Sequence, residues 1–247
     1  MFRHQGNRRS HLHNLRLATI LSFVAGIVNV TGVLAVKTLT TNVTGHFAYF
    51  AEEMTKRDYV TAVTFFILTL FFLFGAFCSN FTSELVSKKY PELAHVIPIS
   101  IEILMLFLIG FFGTKSTLYN LEGRWIAFGM LFSMGIQNSL VTKISKSTVR
   151  TTHLTGLFTD LGIELSQLFF FKLPDEVEKL KTSIILRLSI ITSFFLGCFL
   201  GGYTYHFLEI KTLFVAAFFL LIAQWYDYIR LRYHVIRRNV FKRKIRY

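Results

Sequence analysis

Six apolar runs, each close to 20 residues long, constrain this 247-residue chain more than any other feature. They cover residues 17–36, 59–81, 93–112, 125–142, 183–206 and 212–228. At 1.5 Å rise per residue, about 20 helical residues cross the ~30 Å hydrocarbon core of a bilayer. The runs therefore predict an all-α integral membrane protein with about six transmembrane helices. Arg8, Arg9 and Arg16 precede the first run, as basic residues precede the core of a signal peptide. That run is too long for a signal peptide and ends without a clean small-x-small cleavage pattern, so it reads as an uncleaved first span.

Charge sets the orientation. The chain carries 27 Lys+Arg against 14 Asp+Glu, a formal +13, yet only 17% of it is charged and 53% is hydrophobic. That balance excludes a soluble basic domain, a disordered chain and a disulfide scaffold. With a cytoplasmic N-terminus, the inside segments 1–16, 82–92, 143–182 and 229–247 hold 20 of the Lys/Arg and the outside segments hold 6. The positive-inside rule then places both termini in the cytoplasm. The organisation read from this is a basic N-terminus (1–16), a first three-helix unit (17–116), a second (117–228) and a basic tail (229–247). The tail has eight Lys/Arg and no acid, with Ile229, Tyr233, Ile236 and Val240 at helical spacing. It is expected to lie on the inner leaflet against anionic headgroups, not on nucleic acid. Cys78 and Cys198 lie within apolar runs and read as small core residues.

The chain repeats itself. Gly26-Ile27-Val28-Asn29 is followed by T-T-N-V-T-G (40–45) and Phe47; Gly135-Ile136-Gln137-Asn138 is followed by T-T-H-L-T-G (151–156) and Phe158. Glu53 then falls on Glu164, and F-G-A-F (74–77) on L-G-C-F (196–199). Three spans per unit is an odd number, so the units are expected to insert with opposite orientation, as in secondary transporters. Were the stretches after each Thr-Gly pair to cross as well, there would be eight spans and parallel repeats. A helix starting near Thr44 or Thr155 has free N–H groups in its first turn. The threonines then serve either as ordinary caps or as the rim of a site for a polar or anionic solute. On the second reading the ligand-binding candidates are Asn29, Thr41, Asn42, Thr44 and Gly45 in the first unit. In the second they are Gln137, Asn138, Thr152, Thr155, Gly156 and Asp160.

Ionisable residues inside spans are costly and so draw attention. Glu102 lies deep in the third run with His95 seven residues earlier on the same face. It reads either as a proton-linked carboxylate or as a protonated Glu bonded to a neighbouring helix. Glu53 and Glu164 are further proton-linked candidates. Arg187 is expected to snorkel to the inner interface, and Glu84 and Asp227 to be interfacial. Ser22/Gly26, Gly75/Ser79, Gly135/Ser139 and Gly197/Gly201 are small-x-x-x-small pairs, read as close helix packing. No nucleotide-binding, hydrolase or metal-ligand motif is found. No catalytic residue, cofactor or metal is therefore expected, and the chain is not read as an enzyme.

G-x-x-N, T-T-N-V-T-G-H, and G-I-Q-N-S with T-T-H-L-T-G-L-F-T-D-L together resemble the YoaK-like family of bacterial membrane proteins, classed as a domain of unknown function. The resemblance covers about residues 17–225. Members commonly have an acid where this chain has Asn29, and Asn where it has His46. It implies a multi-pass bacterial inner-membrane protein and no particular substrate. The expectation is a secondary transporter or permease for an unknown small solute, with a non-transporting scaffold or sensor as the rival. Whether copies assemble into a homo-oligomer is left open.

Overall fold

The computed structural model describes residues 11–145 and 149–244. The basic segment 1–10 lies outside the described residues, as do the side chains of the tail beyond Ile229. The elements are α1 (His11–Val36), α2 (Val43–Thr55), α3 (Tyr59–Ser87), α4 (Val96–Phe112), α5 (Leu121–Ser145), α6 (Leu154–Gln167), α7 (Pro174–Leu208) and α8 (Leu213–Lys244). Short 3-10 turns, Pro91–Leu93 and Glu209–Thr212, precede α4 and α8. No strand occurs among the described residues. Three stretches are long and apolar enough to cross a membrane: Leu15–Val36, Tyr59–Ser87 and Pro174–Asp227, the last holding α7 and the first half of α8. Val96–Phe112 is a shorter apolar helix.

Local chemistry sets the helix limits. Asp58 caps α3 by accepting from the Thr61 N–H at 3.1 Å, and Pro174 opens α7 where its missing N–H is harmless. Chain reversals after α1, α2 and α7 use Lys37, Arg57 and Glu209 in the left-handed region, with φ of 57°, 65° and 49°. The tail does not form a separate surface helix. With neither Gly nor Pro between Leu213 and Lys244, α8 runs unbroken into it.

Contacts near the helix ends give each helix its direction. Tyr59 and Val60 at the start of α3 share a groove with Leu121 and Trp125 at the start of α5. Glu84 and Lys143, near the ends of the same two helices, pair at 2.8 Å. These two helices therefore run parallel. Helix α4 runs against α8, with Gln224 donating to Ser100 Oγ at 3.1 Å and Gly110 lying beside Phe214. Helix α1 also opposes α8, with Arg16 donating to Tyr226 Oη at 3.4 Å and Phe23 edge-on to Phe219. The outcome is that α1, α4 and α7 run one way and α3, α5 and α8 the other. Short α2 and α6 consequently sit at opposite ends of the bundle. At 13 and 14 residues they rise only about 20 Å, too little to cross ~30 Å of hydrocarbon.

The core is mainly aliphatic, built on residues such as Leu21, Leu68, Ile99, Leu106, Met130, Leu131, Met134 and Leu140. Phe faces outward instead: Phe77, Phe111, Phe199, Phe207 and Phe218 are each more than half exposed. An apolar exterior of this extent suits lipid better than water. Two close crossings brace the bundle. A Cβ on Gly26 of α1 would collide with the Phe194 carbonyl of α7, and one on Gly197 with the Phe23 carbonyl. A Cβ on Gly135 of α5 would collide with the Phe72 carbonyl of α3, and one on Gly75 with the Phe132 carbonyl. These four glycines are two equivalent pairs of the sequence repeat, and they pack, as small residues in membrane helices do.

Candidate functional site

Asn29 lies on α1, about two turns before its end. Its Oδ1 accepts from the Thr40 N–H at 3.1 Å and the Thr41 hydroxyl at 3.0 Å. Asn138 makes the counterpart contact on α5, its Oδ1 accepting from Thr152 Oγ1 at 2.8 Å and Thr151 Oγ1 at 3.3 Å. Thr40 and Thr151 are both fully buried. Each amide therefore pins the loop that leads into α2 or α6. The oxygens of these two amides are engaged, and they serve opposite ends of the bundle. Gln137 is likewise engaged, its Nε2 donating to the Leu21 carbonyl at 2.8 Å and joining α5 to α1.

The two helix starts then differ. Asn42 caps α2 by accepting from the Gly45 N–H at 3.0 Å. The cap is thus Asn42, not Thr44. At α6 the N-cap is His153, whose side chain makes no capping hydrogen bond. Gly156 is needed there, because a Cβ would strike the His153 ring. Thr155 follows the cap and is exposed.

Beside α6 is a cavity of about 390 Å³ lined by Arg150, His153, Gly156, Asp160, Ser183 and Arg187, with Leu157, Leu186 and Ile190 as its apolar wall. Arg187 of α7 reaches across to α6. Its Nε donates to Glu164 Oε2 and its Nη1 to Asp160 Oδ2, both at 2.8 Å. Ser183 Oγ donates to the other Glu164 oxygen at 2.6 Å. Two carboxylates within one helix turn of each other thus hold the Arg187 guanidinium. Sequence reasoning had Asp160 and Glu164 as candidates and missed their joint partner. Arg150, on the rim, is exposed and has no carboxylate partner among the described residues.

The corresponding place in the first unit is built differently. By the repeat, Tyr49 stands for Asp160 and Phe65 for Arg187. Their rings pack at 5.1 Å, and His46 stacks on Phe65 at 5.9 Å. His46 Nε2 bonds the Leu39 carbonyl at 2.8 Å, and burial holds its imidazole below the ordinary range. Glu53, 8% exposed, pairs with Lys56 at 2.9 Å. The hydrogen bonds that it donates to Glu52 and then to Glu53 hold the Lys56 ammonium above its usual range. One end is an aromatic plug and the other a charged pocket.

Glu102 is fully buried on α4, and neither carboxyl oxygen has a hydrogen-bond partner among the described residues. His95 does not turn toward it. Its Nε2 lies 3.5 Å from Asp227 Oδ2 of α8, both side chains being 4% exposed. Asp227, at the end of its apolar stretch, is therefore a buried partner of His95. The described residues contain no cluster of His, Cys, Asp or Glu able to hold a metal ion.

No curated protein and no solved structure matches the chain. A family model does match, over residues 17–225, from within α1 to the first part of α8. Its apolar helices, its duplicated Asn–Thr–Thr tethers and that match place the chain in the family described as Protein of unknown function (DUF1275).

Proposed function

We propose that the chain is a bacterial inner-membrane permease for a small anionic solute, with six crossings arranged as two inverted three-helix units and both termini cytoplasmic. The observation that carries this reading is the asymmetry between the two Thr-Gly ends. The α6 end holds a cavity whose wall carries the first turn of α6 and whose rim carries Arg150, exposed and without a carboxylate partner among the described residues, while Arg187 there is paired with Asp160 and Glu164. Helix N-termini and arginines together favour anions. The α2 end is closed by Tyr49, Phe65 and His46. A carrier resting with its inner side open and its outer side closed has this form. The alternating helix directions and the paired glycine crossings support inverted units.

Uptake into liposomes tests it, using a panel of small carboxylates and inorganic phosphate with wild type and Arg150→Gln. Saturable uptake of one anion, with a KM several-fold higher in R150Q, supports the permease. Absence of uptake, with no anion raising the melting temperature of the purified protein, overturns it. One observation favours the rival reading of a non-transporting scaffold that docks partners on its basic inner face: the side-chain oxygens of Asn29 and Asn138 are both taken up in holding loops. That failure would leave the scaffold standing.

A further inference from the structure

We infer that Glu102 is a proton-binding site, taking up one proton from one side of the bundle and releasing it to the other as the helices rearrange. The coupling part rests on the permease reading; the existence of the site does not. Glu102 is six residues into α4, roughly 9 Å along the helix, and fully buried. Ser100, half a turn before it, is bonded by Gln224 of α8, and Met105, one turn after it, touches Gly129 of α5. It therefore lies where α4 is held on both flanks. Counting along these opposed helices puts it at the height of the Ser133–Gln137 turn of α5.

Nothing at that height neutralises a charge. Helices α1, α3 and α5 carry no Asp, Glu, His, Lys or Arg through their middles, and α8 carries none from residue 213 to 226. The titratable groups on the elements around α4 sit at the ends: Glu84 of α3 with Lys143 of α5, and Asp227 of α8 with His95 at the head of α4. Glu92, Glu122, Arg124, Glu209 and Lys211 lie in or beside the connecting turns. A carboxylate in that setting has no counter-charge beside it among the described residues. A merely structural neutral Glu, however, would donate to a neighbouring carbonyl, and this one does not. Gln137 Oε1, Ser22 Oγ and Ser79 Oγ are also buried without partners among the described residues, on α5, α1 and α3. Four helices each contribute an oxygen with unused capacity, which fits a path that takes in water and protons in another state of the bundle. The chemistry is one reversible O–H bond: a proton from water forms it, and release to water on the opposite side breaks it.

Two measurements on the full chain in lipid test this. Infrared titration of wild type and Glu102→Gln is expected to show a carboxylic-acid C=O band that shifts in D2O, is lost on raising the pH, and is absent from E102Q. A band indifferent to D2O and pH, or spectra identical in the two proteins, overturns the site. In vesicles holding a pH dye, the anion that supports uptake is expected to move protons in wild type, while E102Q exchanges anion without moving protons. Anion uptake without proton movement in wild type overturns the coupling. A titrating Glu102 band in a protein that transports no anion overturns the permease reading and leaves the proton site in place.

Discussion

Asn29 and Asn138 each use a single oxygen to hold two donors from a loop 11 to 14 residues away. Replacing either by Ala removes two hydrogen bonds, each worth about 1 kcal/mol net, and leaves a buried threonine without its partner. N29A and N138A should each lower the melting temperature in detergent, and the double variant should lower it additively, because the sites lie at opposite ends. His46 offers a pH test. Burial keeps its imidazole below the ordinary range, while in the unfolded chain it titrates near ~6.5. The unfolded state therefore binds the proton more readily, and this contribution to stability is complete above ~6.5 and declines as the pH falls through that value. The loss of stability on acidification should be shallower in His46→Phe than in wild type. The sequence identified the paired amides but not their role. Spacing shows that an amide recurs; it does not show whether its oxygen meets a loop or an open cavity. Arg187 was harder, since its two acids lie 23 and 27 residues upstream on another helix.

Helices were the most legible level. All six apolar runs became helices, and the two ambiguous stretches became α2 and α6, because a 20-residue apolar run has few alternatives in lipid. Helix ends were less legible, since α3, α5 and α7 extend beyond their apolar parts into polar turns. The glycine crossings make sharp predictions. Gly197→Val should leave little folded protein in the membrane fraction, because its side chain meets backbone that has no room to shift. Gly162→Ala on α6 meets nothing within 4 Å and should raise the melting temperature, alanine being about 1 kcal/mol better than glycine in a helix. Arg187→Ala should free α6 from α7 and leave Glu164, whose side chain is 12% exposed, without its cation. Proteolysis in the turn between α6 and α7 should then be faster than in wild type, and Arg187→Lys should restore only part of the protection.

At the scale of the whole molecule, the proposed topology puts α2 outside and α6 inside. Single cysteines at Glu52 and Lys172, in a chain with Cys78 and Cys198 replaced by Ser, should react with a membrane-impermeant maleimide from opposite faces of oriented vesicles. Reaction from the same face would rule out inverted units. The interleaved packing also has a consequence in time. Helix α1 finds its closest neighbour, α7, only when Gly197 has been made, 171 residues after Gly26. At synthesis rates of about 5–20 residues per second, α1 waits roughly 10–30 s in the bilayer with its small-residue face open. During that interval any other helix with a matching groove can take the place of α7. Cells making this protein thus face a pairing problem that the finished bundle conceals, and a truncated chain ending before α7 should be a target for membrane quality control.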